Sequence, residues 1–463
     1  MTTLATPAAG TAGGARGALA LPAAATLLAL MNYTAPLAML TDTAAGLGSG
    51  PTAQIWLMSS ISLGLAAALL AVGSLADDHG RKRVFVFGAA LLAVSSAACA
   101  VAPGSAVFVA GRIVQGAASA ALIAAGLGLV GATFTGPRRA HATGIWGAMV
   151  GLGIALGPIA AAGLGILGGW RLWYWATVAG SALLAAVAAR TLRESRAARR
   201  RGLDVPGVLT MSLGVAALLA AVTLGRLGWS RPEVAGLLVL AAVLLGAFVL
   251  VEARRREPML DLGLLRRPRF LLSVTGALVT GLGIIGLMSF VPTVLYVTLG
   301  MGPLAAAFLL AIWSGLSFVA AAQARRLPAR LPAGRLLAAA LALNAAGQLA
   351  LLGFAPDEHW WRMVPGLILA GIGSGLGNAM LARLAVESVP PERASMGSGA
   401  NNTARYIGAS LGVALVGAIV TGTGGGHASP AQAYAHGANV AILVCSAIAL
   451  LGAVFAALVP DRG

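Results

Sequence analysis

Gly73-Ser-Leu-Ala-Asp77-Asp-His-Gly80-Arg81-Lys82-Arg83-Val84 decides how this chain is read. An apolar run that begins near Ala53 leads into it, and a second runs from Phe85 to Ala102. An acid, a glycine turn and three consecutive cations therefore sit between two segments of membrane-crossing length. Basic clusters of this kind stay on the cytoplasmic side of a bilayer. The acid can bond cations or the positive N-terminal end of a neighbouring helix.

Composition agrees with a chain built for lipid. Of 463 residues, 59% are hydrophobic and only 10% are charged, against roughly 25% charged in a soluble domain. Uncharged stretches of about 20 residues recur, each long enough to span a bilayer as a helix. In lipid, only helices or closed barrels satisfy their own backbone groups. The 63 glycines suit close helix contacts. The fold class expected is all-α integral membrane.

A net charge of +17 could suggest a nucleic-acid partner, but its distribution excludes one. Of 31 basic residues, 25 fall in loops that alternate to the same side, and only Arg171, Arg226, Arg231 and Arg362 fall on the other. That asymmetry is topological. Arg112 and Arg405 lie inside apolar segments. Cys99 and Cys445 also lie in apolar runs, and no Cys/His cluster has metal-site spacing, so neither disulfide, metal nor cofactor is expected. The five histidines make no acid–base pair of the kind an embedded enzyme needs. Loops of about 20 residues leave no room for a receptor's extramembrane domain.

Hydropathy and turn signals give fourteen expected spans: 17–40, 52–75, 84–102, 105–132, 142–166, 171–191, 205–225, 234–252, 270–298, 303–323, 334–355, 361–388, 395–421 and 437–459. An even number puts both termini in the cytoplasm. The expected organisation is a tail at 1–16, a six-helix bundle at 17–191, a linker with two extra helices at 192–269, a second six-helix bundle at 270–459 and a tail at 460–463. Pro137-Arg-Arg-Ala140 before the fifth span and Pro391-Glu-Arg-Ala394 before the thirteenth hint at an internal repeat, as many transporters are built. The arginine-rich stretches 190–204 and 252–269 read as solvated linkers facing lipid headgroups.

The opening block resembles the loop between helices 2 and 3 of the major facilitator superfamily. Three further blocks resemble its 14-helix drug:proton antiporter branch. They are Arg112-Ile-Val-Gln115-Gly116, Gly153-Ile-Ala-Leu-Gly157-Pro158 with Trp170-Arg171 after it, and Pro391-Glu-Arg-Ala394 leading to Asn402-Thr-Ala-Arg405. The matches run in family order through both halves. The resemblance implies a monomeric multi-pass exporter of drugs, antibiotics or metabolites in the cytoplasmic (inner) membrane, working by alternating access with protons as partner. The alternative is an uptake symporter or facilitator of the same superfamily.

The resemblance also assigns roles. Gly73, Asp77, Gly80, Arg81 and Lys82 would latch the cytoplasmic side; Arg112 and Gln115, with Asp42, would couple; Gly153, Gly157 and Pro158 would form a bend. The glycine pair reads equally as a close helix contact. Arg112, roughly 10 Å below the outer boundary at about 1.5 Å per residue, marks a pathway or a paired network. Arg405 reads as snorkelling towards the cytoplasm. Trp170, Trp173, Trp360 and Trp361 read as interface anchors. Asn32, Tyr33, Trp313 and Asn378 are expected to line the cavity, with Trp313 equally open to plain packing.

One departure matters. Where the branch carries an acid in its first span, this chain has Met31-Asn32-Tyr33-Thr34, and none of its 14 acids falls at mid-span. The buried charge is therefore positive, and neutral or anionic compounds are expected over quaternary ammonium ones. Reporter fusions at Gly202 and Gly263 are both expected to read cytoplasmic; opposite faces would overturn the span count.

Overall fold

The computed structural model describes residues 12–197, 202, 204–327, 331–356, 358–423 and 429–459. Residues 1–11 and 460–463, most of the two expected tails, lie outside the described residues, as do 198–201 of the arginine-rich stretch. Among the described residues there is helix and no strand.

The helices are α1 (Ala12–Thr34), α2 (Pro36–Gly46), α3 (Pro51–His79), α4 (Arg81–Ala100), α5 (Ser105–Thr133), α6 (Gly136–Gly168), α7 (Trp170–Thr191), α8 (Val205–Gly225) and α9 (Pro232–Arg254). There follow α10 (Pro268–Val279), α11 (Gly286–Leu299), α12 (Pro303–Gln323), α13 (Ala333–Leu349), α14 (Val364–Glu387), α15 (Ala394–Gly422) and α16 (Pro430–Leu458). Proline opens many of them, where its missing N–H is no loss. A π-helical turn, Thr280–Ile285, joins α10 to α11 into one rod, Pro268–Leu299. Among the described residues thirteen helices are long and apolar enough to cross a membrane. Between two of them lies α13, 17 residues long.

Small residues set the packing. A side chain on Gly64 of α3 would fall on the Ile113 carbonyl of α5, and one on Gly116 of α5 on the Ile61 carbonyl of α3. Backbones that approach this closely gain dispersion contacts along their length. The same device joins Gly281 in the π turn to Arg405 of α15, and Gly412 of α15 to Leu282. In the first part of the chain α5 packs against α1, α3 and α4, with α7 on α4 and α6 on α1. In the second, α14 packs against α12 and α13, and α15 against α10, the π turn and α11. The two parts meet where α3 and α5 touch α15 and where α6 touches α12 and α14. Helices α8 and α9 pair with each other, and α8 leans on α3.

The described parts of the stretches read as solvated linkers are in fact docked. In 252–269, Asp204 accepts from the backbone N–H of Gly207 (3.0 Å) and Met259 (3.4 Å) and pairs with Arg255 (2.9 Å). Buried Glu252 accepts from Leu260 N–H (3.2 Å). Met259, Leu260 and Leu264 are buried against Phe248 and Phe270. The acids satisfy the segment's backbone, and its apolar residues then close over the end of the α8–α9 pair. Leu192–Ala197 is likewise held against the start of α4.

Candidate functional site

Four side-chain groups that the sequence singles out are resolved by the structure. The first lies where α3 ends. Asp77, wholly buried, points its carboxylate at the start of α15. One oxygen accepts from Ser395 N–H (3.1 Å) and the other from Met396 N–H (2.8 Å). These are N–H groups that the first turn of a helix leaves without internal partners, at the positive end of its dipole. Gly73 sits one turn earlier in α3, and a side chain there would collide with the Ser395 carbonyl. Arg81 reaches back from α4 to Asp77 (2.7 Å) and donates to Ser395 Oγ (3.2 Å), the Pro391 carbonyl (2.9 Å) and Ser195 Oγ (2.9 Å). Gly80, at φ 120°, makes the turn between the helices.

Two further contacts were not read from the sequence. Asp78 holds Arg393 through both oxygens, each at 3.2 Å. The Leu192–Ala197 segment also clips on: Arg81 N–H donates to the Ser195 carbonyl (2.9 Å), and Ala197 N–H to the Asp77 carbonyl (2.8 Å). Glu194 accepts from the Lys82 N–H (3.1 Å) and pairs with Arg83 (3.7 Å). Lys82 thus enters the cluster through its backbone. The Asp-Asp doublet and the Pro391–Ala394 repeat were the available signals for Arg393; nothing local marks Glu194.

The second group surrounds Arg112, which is fully buried. Its Nη1 donates to Gln115 Oε1 (2.9 Å), to the Asn32 carbonyl (3.1 Å) and to Asn32 Oδ1 (3.2 Å). Trp173 Nε1 donates to the same Asn32 Oδ1 (3.3 Å), and Gln115 Nε2 to Ser96 Oγ (2.8 Å). Asn32 is buried, and its Oδ1 is shared by Arg112 of α5 and Trp173 of α7. Asp42 is exposed on α2 and takes no part in this network.

In the third group, a side chain on Gly153 would strike Leu30 of α1 (2.6 Å), and one on Gly157 would strike the Met31 carbonyl (2.7 Å). The pair is a close contact between α6 and α1. Pro158 lies inside α6, which runs on through it. The proline leaves one carbonyl of the preceding turn without its donor.

The fourth group includes one ring contact that crosses between the two parts. Tyr33 and Tyr406 hold their rings 5.6 Å apart, and Ser62 Oγ donates to the Tyr33 hydroxyl (3.3 Å). Trp313 is buried and donates to Ser374 Oγ (3.0 Å), which donates to Asn344 (2.8 Å). Asn378 accepts from Arg405 Nη1 (3.0 Å). Arg405 does not snorkel, because Asn378 offers it an acceptor inside the core. Trp170 and Trp173 are not interface anchors: both are buried, Trp170 edge-on to Phe108 (5.7 Å) and Trp173 on Asn32. Trp360 and Trp361 are exposed.

The Major Facilitator Superfamily model matches residues 23–413. The chain belongs to this family. It is 33% identical to the puromycin resistance protein of Streptomyces alboniger, over 94% of this chain and 89% of that one. It is 30% identical to the multidrug resistance protein Stp of Mycobacterium tuberculosis, over 79% of this chain and 68% of that one. A solved proton:xylose symporter of the superfamily superposes at TM-score 0.70 with 13% identity, covering 96% of each chain, so the fold is shared. The chain is a multi-pass membrane protein of drug-efflux type and a secondary transporter.

The buried Asp78–Arg393 pair gives a direct check on the cluster at the α3–α4 turn. Removing one partner of such a pair costs about 3–5 kcal/mol, because the other charge is left unpaired. Asp78→Ala and Arg393→Met are each expected to lower the thermal unfolding midpoint of the purified protein. The double variant is expected to lose less than the sum of the two, and strict additivity would contradict the pairing.

Proposed function

We propose that this transporter exports small organic molecules of the antibiotic or drug type across the cytoplasmic membrane by alternating access. The reading takes fourteen spans, counting α1 with α2, α10 with α11, and α13, with both termini in the cytoplasm. Residues 17–191 and 270–459 act as two six-helix bundles that rock about a midplane site, and 192–269 carries the inserted pair. The outward direction is supported by the relatives named above, both resistance proteins.

One observation carries the mechanism: the Asp77 carboxylate on the first N–H groups of α15. Asp77 belongs to one bundle and α15 to the other, so these bonds exist only while the side bearing the α3–α4 turn is shut. Gly73 permits the approach, Gly80 makes the turn, and Arg81 and the Lys82 backbone hold the clip in place. Contacts made in one state only bias the equilibrium between states. Arg112 with Gln115 senses the bundle interior, Asp42 remains the acid at the outer end of α2, and the Gly153–Gly157–Pro158 face lets α6 move against α1. Tyr33, Trp313 and Asn378 stand at the meeting of the bundles. Protons are the proposed partner. One observation favours a facilitator instead: Arg112 meets an amide, not a carboxylate.

Transport into inside-out vesicles, with and without a pH gradient, separates these readings. Asp77→Asn is expected to insert normally while its transport rate falls at least about fivefold, since a coupling of ~1–3 kcal/mol shifts populations roughly 5- to 150-fold. Normal transport by that variant would make the turn a topogenic signal only. Rates that ignore the pH gradient would favour the facilitator.

A further inference from the structure

Two guanidinium groups lie in the helical core without a carboxylate. Arg112 is 0% exposed and Arg405 is 3% exposed, and neither has an ion-pair partner among the described residues. Every acceptor that Arg112 does meet is a neutral oxygen, and all are reached through Nη1. Among the described residues its Nε and Nη2 have no acceptor. These two nitrogens share one edge of the guanidinium plane, the edge that matches the two oxygens of a carboxylate in a bidentate pair.

The surroundings add to the same surplus of donors. Asn32 Oδ1 receives both Arg112 and Trp173. That fixes the orientation of the amide and leaves Asn32 Nδ2 as a second buried donor without an acceptor among the described residues. On the opposite part of the chain Arg405 gives Nη1 to Asn378 and keeps Nε without an acceptor among the described residues. Tyr33 follows Asn32 and Tyr406 follows Arg405 in the chain, and their rings touch. They belong to an apolar cluster with Leu30, Trp146 and Val150. An unpaired buried cation is costly, and a ligand that brings the missing negative charge relieves part of that cost, less the desolvation of its own charge.

We infer that the Nε–Nη2 edge of Arg112, with Asn32 Nδ2, is a carboxylate-binding position, and that Arg405 Nε supplies a second donor of the same sign. The transported compound is then an organic acid with an apolar body that rests against the tyrosine pair. This rests on the transporter reading above and names its substrate class. A small inorganic anion could meet the same donors, so the experiment includes one.

Full-length protein, purified in detergent, is heated with 1-naphthoate, its neutral amide, 1-naphthylmethylammonium or chloride. Naphthoate is expected to raise the unfolding midpoint above the amide and the amine. The rise is expected to vanish in Arg112→Gln, to shrink in Arg405→Gln, and to survive in part in Arg112→Lys. A rise with chloride that is lost in Arg112→Gln supports the site with an inorganic occupant. Equal shifts from all three naphthyl compounds, no shift with any anion, or a naphthoate shift unchanged in Arg112→Gln would overturn it. A parallel arm in inside-out vesicles keeps the two claims apart. Ethidium accumulating while naphthoate does not would leave export standing and overturn the organic-acid class. Accumulation of neither compound would count against export, and the binding arm would still decide the anion position.

Discussion

The carboxylate of Asp77 set on the N-terminus of α15 is the interaction on which the rest of the structure depends. It joins the first part of the polypeptide to the second through bonds of 3.1 and 2.8 Å at a point where both partners are buried. Hydrogen bonds to a charged group contribute about 1.5–3 kcal/mol, and the helix dipole adds up to ~2 kcal/mol in partly buried geometry. Contributions of that size hold a state without locking it. Arg81 completes the charge balance and at the same time contacts α15 and the segment after α7, so three parts of the chain meet on one carboxylate.

That arrangement needs backbones to come close, which explains where the glycines fall. Gly73 faces the Ser395 carbonyl and Gly399 of α15 faces the Leu69 carbonyl of α3. Gly128 of α5 faces Ser395 as well. The contact between α3, α5 and α15 is thus a smooth surface, on which side chains would wedge the helices apart. On the other flank a Cβ added at Gly147 or Gly151 of α6 would lie 3.1 Å from the backbone of Ala379 or Ser314. Bulk is kept for the contact of α5 with α7, where Phe108, Trp170 and Tyr174 pack edge to face.

Much of this was legible in the chain itself. The Gly73–Val84 block announced the turn, its acid and its cations, and hydropathy marked the helices. Arg112 was legible because a charge in an apolar run must be paired or functional. What stayed hidden is what depends on facing and on long-range pairing. The helices are apolar nearly all round, so periodicity does not say which face is buried. Trp170, Trp173 and Arg405 were therefore assigned outward-looking roles and proved to point inward. Arg393 and Asp78 are far apart in the chain, and only the fold makes them partners. Residues 252–269 looked like a solvated linker because they are rich in charge. Buried Asp204 and Glu252 turn that charge into a docked segment.

The central claim is that Asp77 holds the side bearing the α3–α4 turn shut. Spin labels at Arg83→Cys and Glu392→Cys test it, since both positions are exposed and the native Cys99 and Cys445 are buried. Distances are measured by electron–electron double resonance in lipid, with and without Asp77→Asn. A dominant short distance that gives way to a longer population in the Asp77→Asn background is the result expected. A distribution that does not change when Asp77 loses its charge would contradict the account.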